Sequence, residues 1–378
     1  MKCIPNDVIS LNPTKEWRFP SRNHVIRNRT VLAALTNKQS NEDGTLSDEE
    51  ISFLLRRAEG GFGIITSAAS HVMENGQGWH GEMGVWGDHQ IPGLTKLADG
   101  IRERGALSLV QIFHGGMRAP ADLIRTTPIS ASYNDEGNGN QPAREMSQNE
   151  IQEAIDAFAA AAERCEKSGI DGVEIHGAHG YLIAQFLGTV TNRRSDSWGG
   201  DLSGRSRFLM RIIEEVRKRT SPSFVVIVRI SPEIENLGIS LDDSLELAKH
   251  LTETEIDALH ISCWDVFKGA QGDSRDSRTL TRRFREVLPD GFPLISTGSI
   301  WTSEDARFVM KEGADLVGVG RVGIAHPDWP LGLKNPEFSP DLPPFTTQHL
   351  ESVSLSPIFV EYMHRYRGFV VGGRPLDD

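Results

Sequence analysis

The stretch GIDGVEIHGAHGYL, Gly169–Leu182, sets a short apolar run between glycines and ends it in a cluster of ring side chains. A run of this length bounded by glycine reads as a buried strand, Gly172–His176. On either side of it, Asn149–Lys167 and Gly204–Arg219 carry helical periodicity, so the strand belongs to a βα repeat. The same alternation fills residues 30–325 and predicts strands at Val31–Leu35, Gly63–Ser67, Leu107–Ile112, Gly172–His176, Phe224–Ile230, Ala258–Ser262, Pro293–Thr297 and Asp315–Val319. Further helices are predicted at Ser47–Glu59, Asp242–Thr252 and Ser303–Lys311, with Ser47 and Glu50 as a capping box and Ser303 opening the last of them. Eight strands with intervening helices, and no early GxGxxG after a strand, favour a closed α/β fold, a (β/α)8 TIM barrel, over an open doubly wound sheet. A single domain over residues 1–335 is expected. Residues 336–378, Pro-rich and then rich in Tyr, Phe and Arg, are expected to pack on the barrel as a C-terminal extension.

The composition narrows the function. Of 378 residues, 38% are hydrophobic and 24% charged, which suits a soluble globular protein with a sizeable core. A net charge of −12 and a pI near 5.5 oppose binding to nucleic acid or to an anionic membrane, so any phosphate must be held locally. Cys3, Cys165 and Cys263 are too scattered for a disulfide framework or a paired CxxC site and suit a reducing compartment. Met1–Pro20 has no apolar signal core and no stretch reaches membrane-spanning length. A cytoplasmic protein acting on a small molecule, a possible homo-oligomer, is expected. In a barrel, the polar loops Asn134–Gln141, Asn192–Leu202 and Phe267–Arg278 follow strands three, four and six onto the C-terminal face, where active sites are built.

The quoted stretch carries the chemistry. Just past its strand stand His176, His179 and Tyr181: two imidazoles able to donate to one substrate oxygen and a phenol able to supply a proton. Two histidines that merely cap a turn are the bland alternative. Zinc would need a third ligand that the run does not supply, so no metal is expected. Gly298 and Ser299 follow strand seven, and Gly320 and Arg321 follow strand eight, where barrels commonly bind phosphate. Arg229 interrupts the apolar run VVIVRIS and needs a negative partner, either a carboxylate or a ligand such as the N1/C2 edge of a reduced flavin. Gln111, ending strand three, can pair its amide with a pyrimidine edge or with neighbouring backbone.

The run GIDGVEIHGAHGYLIAQFL, followed by TNRRSDSWGG from Thr191 and RSRF from Arg205, resembles the old yellow enzyme family of NADH:flavin oxidoreductases. Asn28 and Arg29, QIFHGG from Gln111, VRIS from Val228, and Gly320-Arg321 followed by HPDWP from His326 extend the resemblance over residues 5–335. It implies an FMN-bearing barrel in which NADH or NADPH and the substrate occupy one site in turn. It further implies that His176 and His179 bind the substrate oxygen and Tyr181 donates the proton. Thr36 would then contact the flavin C4 carbonyl, Ala69 or Ala68 would offer a backbone contact, Gln111 and Arg229 would meet the ring, and Gly298, Ser299, Gly320 and Arg321 would hold the phosphate. The sequence departs from the pattern at Ala34, where proline is common. Arg118 follows the QIFHGG motif without a clear direction, and Trp79, Trp86, Trp264 and Phe267 are candidates for a substrate lid. The expected activity is reduction of activated C=C bonds, with quinones, nitro compounds and nitrate esters as further oxidants. Two alternatives belong to other classes. A flavin-free barrel lyase or aldolase acting on a phosphorylated substrate would want a lysine at a strand end, which is lacking. A non-enzymatic flavin-binding protein would want one of the three ring residues missing.

Overall fold

Runs of β-branched residues such as VVIVRI leave no polar face, so the strands they form must be buried on both sides, as in a parallel barrel wrapped by helices. The computed structural model describes residues 11–22, 24–137, 139–272 and 276–372. Cys3, the last six residues of the extension, residue 138 in the loop after strand three and residues 273–275 in the loop after strand six lie outside the described residues. The barrel strands are β1 (Thr30–Leu32), β2 (Ile64–His71), β3 (Leu107–Phe113), β4 (Gly172–Gly177), β5 (Val225–Ile230), β6 (Ala258–Ser262), β7 (Leu294–Thr297) and β8 (Leu316–Val319). They pair in parallel in sequence order, and β8 returns to β1 through Val319 and Leu32 to close the ring.

Between them run α1 (Asp48–Glu59), α2 (Ile91–Glu103), α3 (Gln148–Lys167), α4 (Leu202–Arg219), α5 (Leu241–Thr252), α6 (Leu280–Val287) and α7 (Ser303–Lys311), and α8 (Arg321–Ala325) follows β8. Two cap readings and two strand ends are corrected. Ser47 does cap α1 by accepting from Glu50 N, but the Glu50 carboxylate does not return to the cap. It is buried against Asn37, 2.8 Å away, and Ser40, and so braces the loop after β1. The cap of α7 is Thr302 with Asp305, one residue before Ser303. β1 stops at Leu32 rather than Leu35, freeing Ala34–Thr36 to bend over the barrel mouth, and β2 runs past Ser67 to His71 through a bulge between Thr66 and Ala69. The loop after β3 holds a further two-residue parallel pair, Ile129–Ser130 with Arg144–Glu145, too short to carry a period.

Two apolar cores result. One fills the space between strands and helices. The other fills the lower barrel interior with Val31, Ile64, Leu109, Ile227, Ile295 and Leu316, plugged from below by Phe19 and Ile26 of the hairpin Trp17–Arg18/Val25–Ile26. Higher in the barrel the inward residues turn polar, and that change of character marks the floor of the site. The extension packs back on the outer layer through Phe359, whose ring meets Phe53 of α1 edge-on at 5.0 Å, and through Arg57, which is fully buried and donates to the carbonyl of Val353 at 2.7 Å.

Phe359→Ala removes a fully buried ring from the seam between the extension and α1. We expect about 3–5 kcal/mol of destabilisation and faster proteolysis beyond residue 336. Unchanged thermal unfolding and an unchanged digestion pattern would mean the extension is not held through this ring.

Candidate active site

The chain leaves β4 through a turn that returns the His179 ring beside His176. His179 and Gly180 both take left-handed backbone, φ 58° and 80°, and the His176 and His179 rings meet edge-on with centroids 5.0 Å apart. Tyr181 then caps the short helix Leu182–Leu187, its ring 5.2 Å from that of His176. Phe113 packs edge-on against Tyr181 at 4.9 Å, and Trp79 stacks on Phe113 at 5.5 Å. Arg118 lies beside this group: its guanidinium is 5.7 Å from the Tyr181 ring and donates to the His179 carbonyl at 2.8 Å, while Glu136 pairs with it at 2.8 Å.

On the neighbouring strand β5, Arg229 is in register with both His176 of β4 and His260 of β6. It donates to Ser262 Oγ at 3.1 Å and stands 4.0 Å from Glu174. Ser262 also meets His179 Nε2 at 2.8 Å. Ser262 Oγ accepts from the guanidinium and still has both a hydrogen and a second lone pair for His179 Nε2, so it serves either neutral tautomer of that ring. Gln111 donates to Glu174 at 2.6 Å.

On the far side, Gly298, Ser299, Gly320 and Arg321 come together at the ends of β7 and β8. Gly298 permits a close approach: a Cβ there would fall 2.7 Å from the Trp264 carbonyl carbon. Ser299 Oγ donates to the Trp264 carbonyl at 3.0 Å and accepts from Arg321 at 3.2 Å.

These parts enclose one cavity of about 1290 Å³, more than one drug-sized ligand needs. Every residue assigned to the site from sequence lines it: Thr36, Ala69, Gln111, His176, His179, Tyr181, Arg229, Gly298, Ser299, Gly320 and Arg321. Ala68 does not. Of the lid candidates, Trp79 and Trp264 line the cavity, while Trp86 packs on His89 and Phe267 on Phe308 instead. Trp301 and, from the extension, Tyr362, Met363 and Tyr366 complete the walls. Tyr362 lies against Thr36, and its hydroxyl is 3.4 Å from that of Tyr366. Only the aromatic bias of the tail hinted at this, because the contact joins opposite ends of the chain.

Electrostatically the site is tuned for neutral donors. Burial, reinforced by Arg229 and His260, lowers His179 to about 3, and burial with the neighbouring His179 also holds His176 far below its ordinary value. Burial and the nearby Glu82 carboxyl push Tyr181 up to about 12. Two buried nitrogens of the site, Arg229 Nε and His176 Nδ1, have no protein partner among the described residues, and Arg229 Nε can only donate. Unpaired donors cost free energy unless a ligand accepts from them. A planar, acceptor-edged ring carrying a phosphate satisfies both the floor and the Gly298–Arg321 end, so the residues fit a flavin mononucleotide.

Fold and site together define a barrel oxidoreductase built around a bound flavin. Residues 20–336 match the NADH:flavin oxidoreductase / NADH oxidase family. The chain is 37% identical over 315 residues to the probable NADH-dependent flavin oxidoreductase YqiG of Bacillus subtilis, covering 82% of this chain and 84% of that protein. It is 32% identical over 326 residues to the NADH:acrylate oxidoreductase of Vibrio harveyi, covering 82% of this chain but only 32% of that longer protein. Among solved structures, the old yellow enzyme homologue from Zymomonas mobilis superposes with a TM-score of 0.76 at 27% identity, covering 87% of this chain and 94% of that one. The chain belongs to the old yellow enzyme family of NADH:flavin oxidoreductases. It is an FMN-dependent NAD(P)H oxidoreductase.

A histidine with its pKa near 3 stays neutral from pH 5 to 8 and charges only below that window. Binding of a non-ionising enone to the oxidised holoprotein, followed by the flavin absorbance, is therefore expected to keep its Kd within about threefold over that range. A sigmoidal change centred near pH 6.5 would show that an imidazolium forms in the site.

Proposed function

We propose that the protein reduces the activated C=C bond of α,β-unsaturated carbonyl compounds. The observation that carries this reading is the grouping of His176, His179 and Tyr181 on one wall of the cavity, with ring centroids 5.0 and 5.2 Å apart. When bound, FMN supplies a two-electron carrier between NAD(P)H and an acceptor. Around it, Gln111 and Arg229 would hold the ring edge, and Gly298, Ser299, Gly320 and Arg321 the phosphate. His176 and His179, neutral and preorganised, would donate to the acceptor's carbonyl oxygen and polarise the conjugated bond. Tyr181, kept protonated by burial, would deliver a proton to the α-carbon. Trp79, Phe113 and the extension's Tyr362 and Met363 would exclude water. Quinones, nitro compounds and nitrate esters present an oxygen to the same pair of imidazoles and extend the range of acceptors.

Tyr181→Phe separates the proton from the rest of the machinery. Reduction of the flavin by NAD(P)H should be little changed, and oxidation by a cyclic enone should slow by about 10²- to 10⁴-fold. Quinones take their protons on oxygen, where water serves, so their rate should be spared. The ratio of enone to quinone rates in stopped-flow oxidation of the pre-reduced protein isolates the effect. A ratio equal to that of the unmodified protein removes Tyr181 from the mechanism.

A further inference from the structure

Beneath the cavity lies a polar layer that contacts with the flavin alone do not explain. Glu174, in the middle of β4 and 1% exposed, is an expensive residue to bury. Its Oε1 accepts from Gln111 Nε2 at 2.6 Å, and its Oε2 accepts from His260 Nδ1 at 2.5 Å. The second ring nitrogen of His260 meets Thr297 Oγ1 at 2.7 Å. Gly318 leaves room for that pair: a Cβ there would stand 1.9 Å from Thr297 Oγ1 and 3.3 Å from His260 Nε2. Gln111, Arg229, Thr297 and Gly318 line the cavity, whereas Glu174 and His260 stand one layer behind them.

We infer that Glu174 is a positioning residue that fixes the hydrogen-bonding face of Gln111 and sets the charge felt by the flavin above it. The inference rests on FMN lying on this floor. Two steps lead to it. An ionised carboxylate only accepts, so Gln111 must turn its NH₂ group toward Glu174, and its carbonyl oxygen is left to face the cavity as the acceptor for a ring N–H. Glu174 is also the sole carboxylate paired with Arg229 among the described residues, at 4.0 Å. The two charges nearly cancel as seen from the cavity. With the carboxylate gone, Arg229 would act as an uncompensated cation under a ring that gains negative charge on reduction. His260, clamped between Glu174 and Thr297, holds the carboxylate in the plane that serves Gln111.

The test uses the FMN-loaded full chain and reads the flavin midpoint potential and the FMN dissociation constant. Glu174→Gln keeps the shape and removes the charge. It is expected to raise the reduced-to-oxidised ratio at a fixed potential by about tenfold, roughly 30 mV for a two-electron couple. Glu174→Asp keeps the charge but withdraws it from Gln111, so the potential ratio should stay within about twofold while FMN binds at least threefold more weakly. An unchanged potential in Glu174→Gln, or an equal shift in both variants, overturns the inference. If Glu174→Gln does not fold, Glu174→Asp decides alone, and unchanged FMN affinity overturns it. An unmodified protein that binds no FMN would instead defeat the cofactor reading on which the inference rests.

Discussion

A guanidinium buried on the inner face of a barrel strand is the constraint around which the upper half of this molecule is organised. Arg229 ends an otherwise apolar strand, and a lone charge there would destabilise the fold by several kcal/mol. The structure surrounds it with Ser262 and Glu174 but leaves Nε without a partner among the described residues. The remaining requirement is for an acceptor from outside the chain. Below Arg229 the barrel interior is filled with aliphatic side chains, and above it the cavity opens. The charge therefore stands at the boundary between the half of the barrel that stabilises the fold and the half that binds.

The same constraint explains why the rings of β4 sit where they do. His176 is the residue in register with Arg229, and Ser262 ties Arg229 to His179 on the other side of the turn. Burial, reinforced by the neighbouring imidazole at His176 and by Arg229, keeps both rings neutral, so as proposed donors they would need neither to lose nor to gain a proton when a substrate oxygen arrives. Positioning and electrostatics thus meet at one point: the guanidinium in register with His176 adds to the burial that keeps both rings neutral.

Much of this was legible in the sequence, for a physical reason. Parallel barrel strands are buried on both faces, so each appears as an unbroken apolar run, and a polar residue inside one is conspicuous. Arg229 was found in that way. Glu174 in GVEIHG and His260 in ALHIS carry the same signal, but each pairs with groups on other strands, which the sequence does not show. The end of β2 was missed because a bulge at Thr66–Ala69 carries the strand beyond its apolar run. Trp86 and Phe267 were misplaced as lid candidates because an aromatic residue in a loop gives no indication of which way it faces. Tyr362 and Tyr366 carry no such local signal, since their place in the cavity wall depends on the extension folding back across α1.

In the proposed function one cavity serves both the nicotinamide donor and the acceptor, each meeting the same wall of His176, His179 and Tyr181 in its turn. Steady-state rates, with NADH varied at several fixed concentrations of 2-cyclohexenone, test this most directly. Use of one site in turn predicts parallel double-reciprocal lines, the signature of a ping-pong scheme. Lines that intersect to the left of the axis would mean that donor and acceptor are bound together, and the single-cavity account would be wrong.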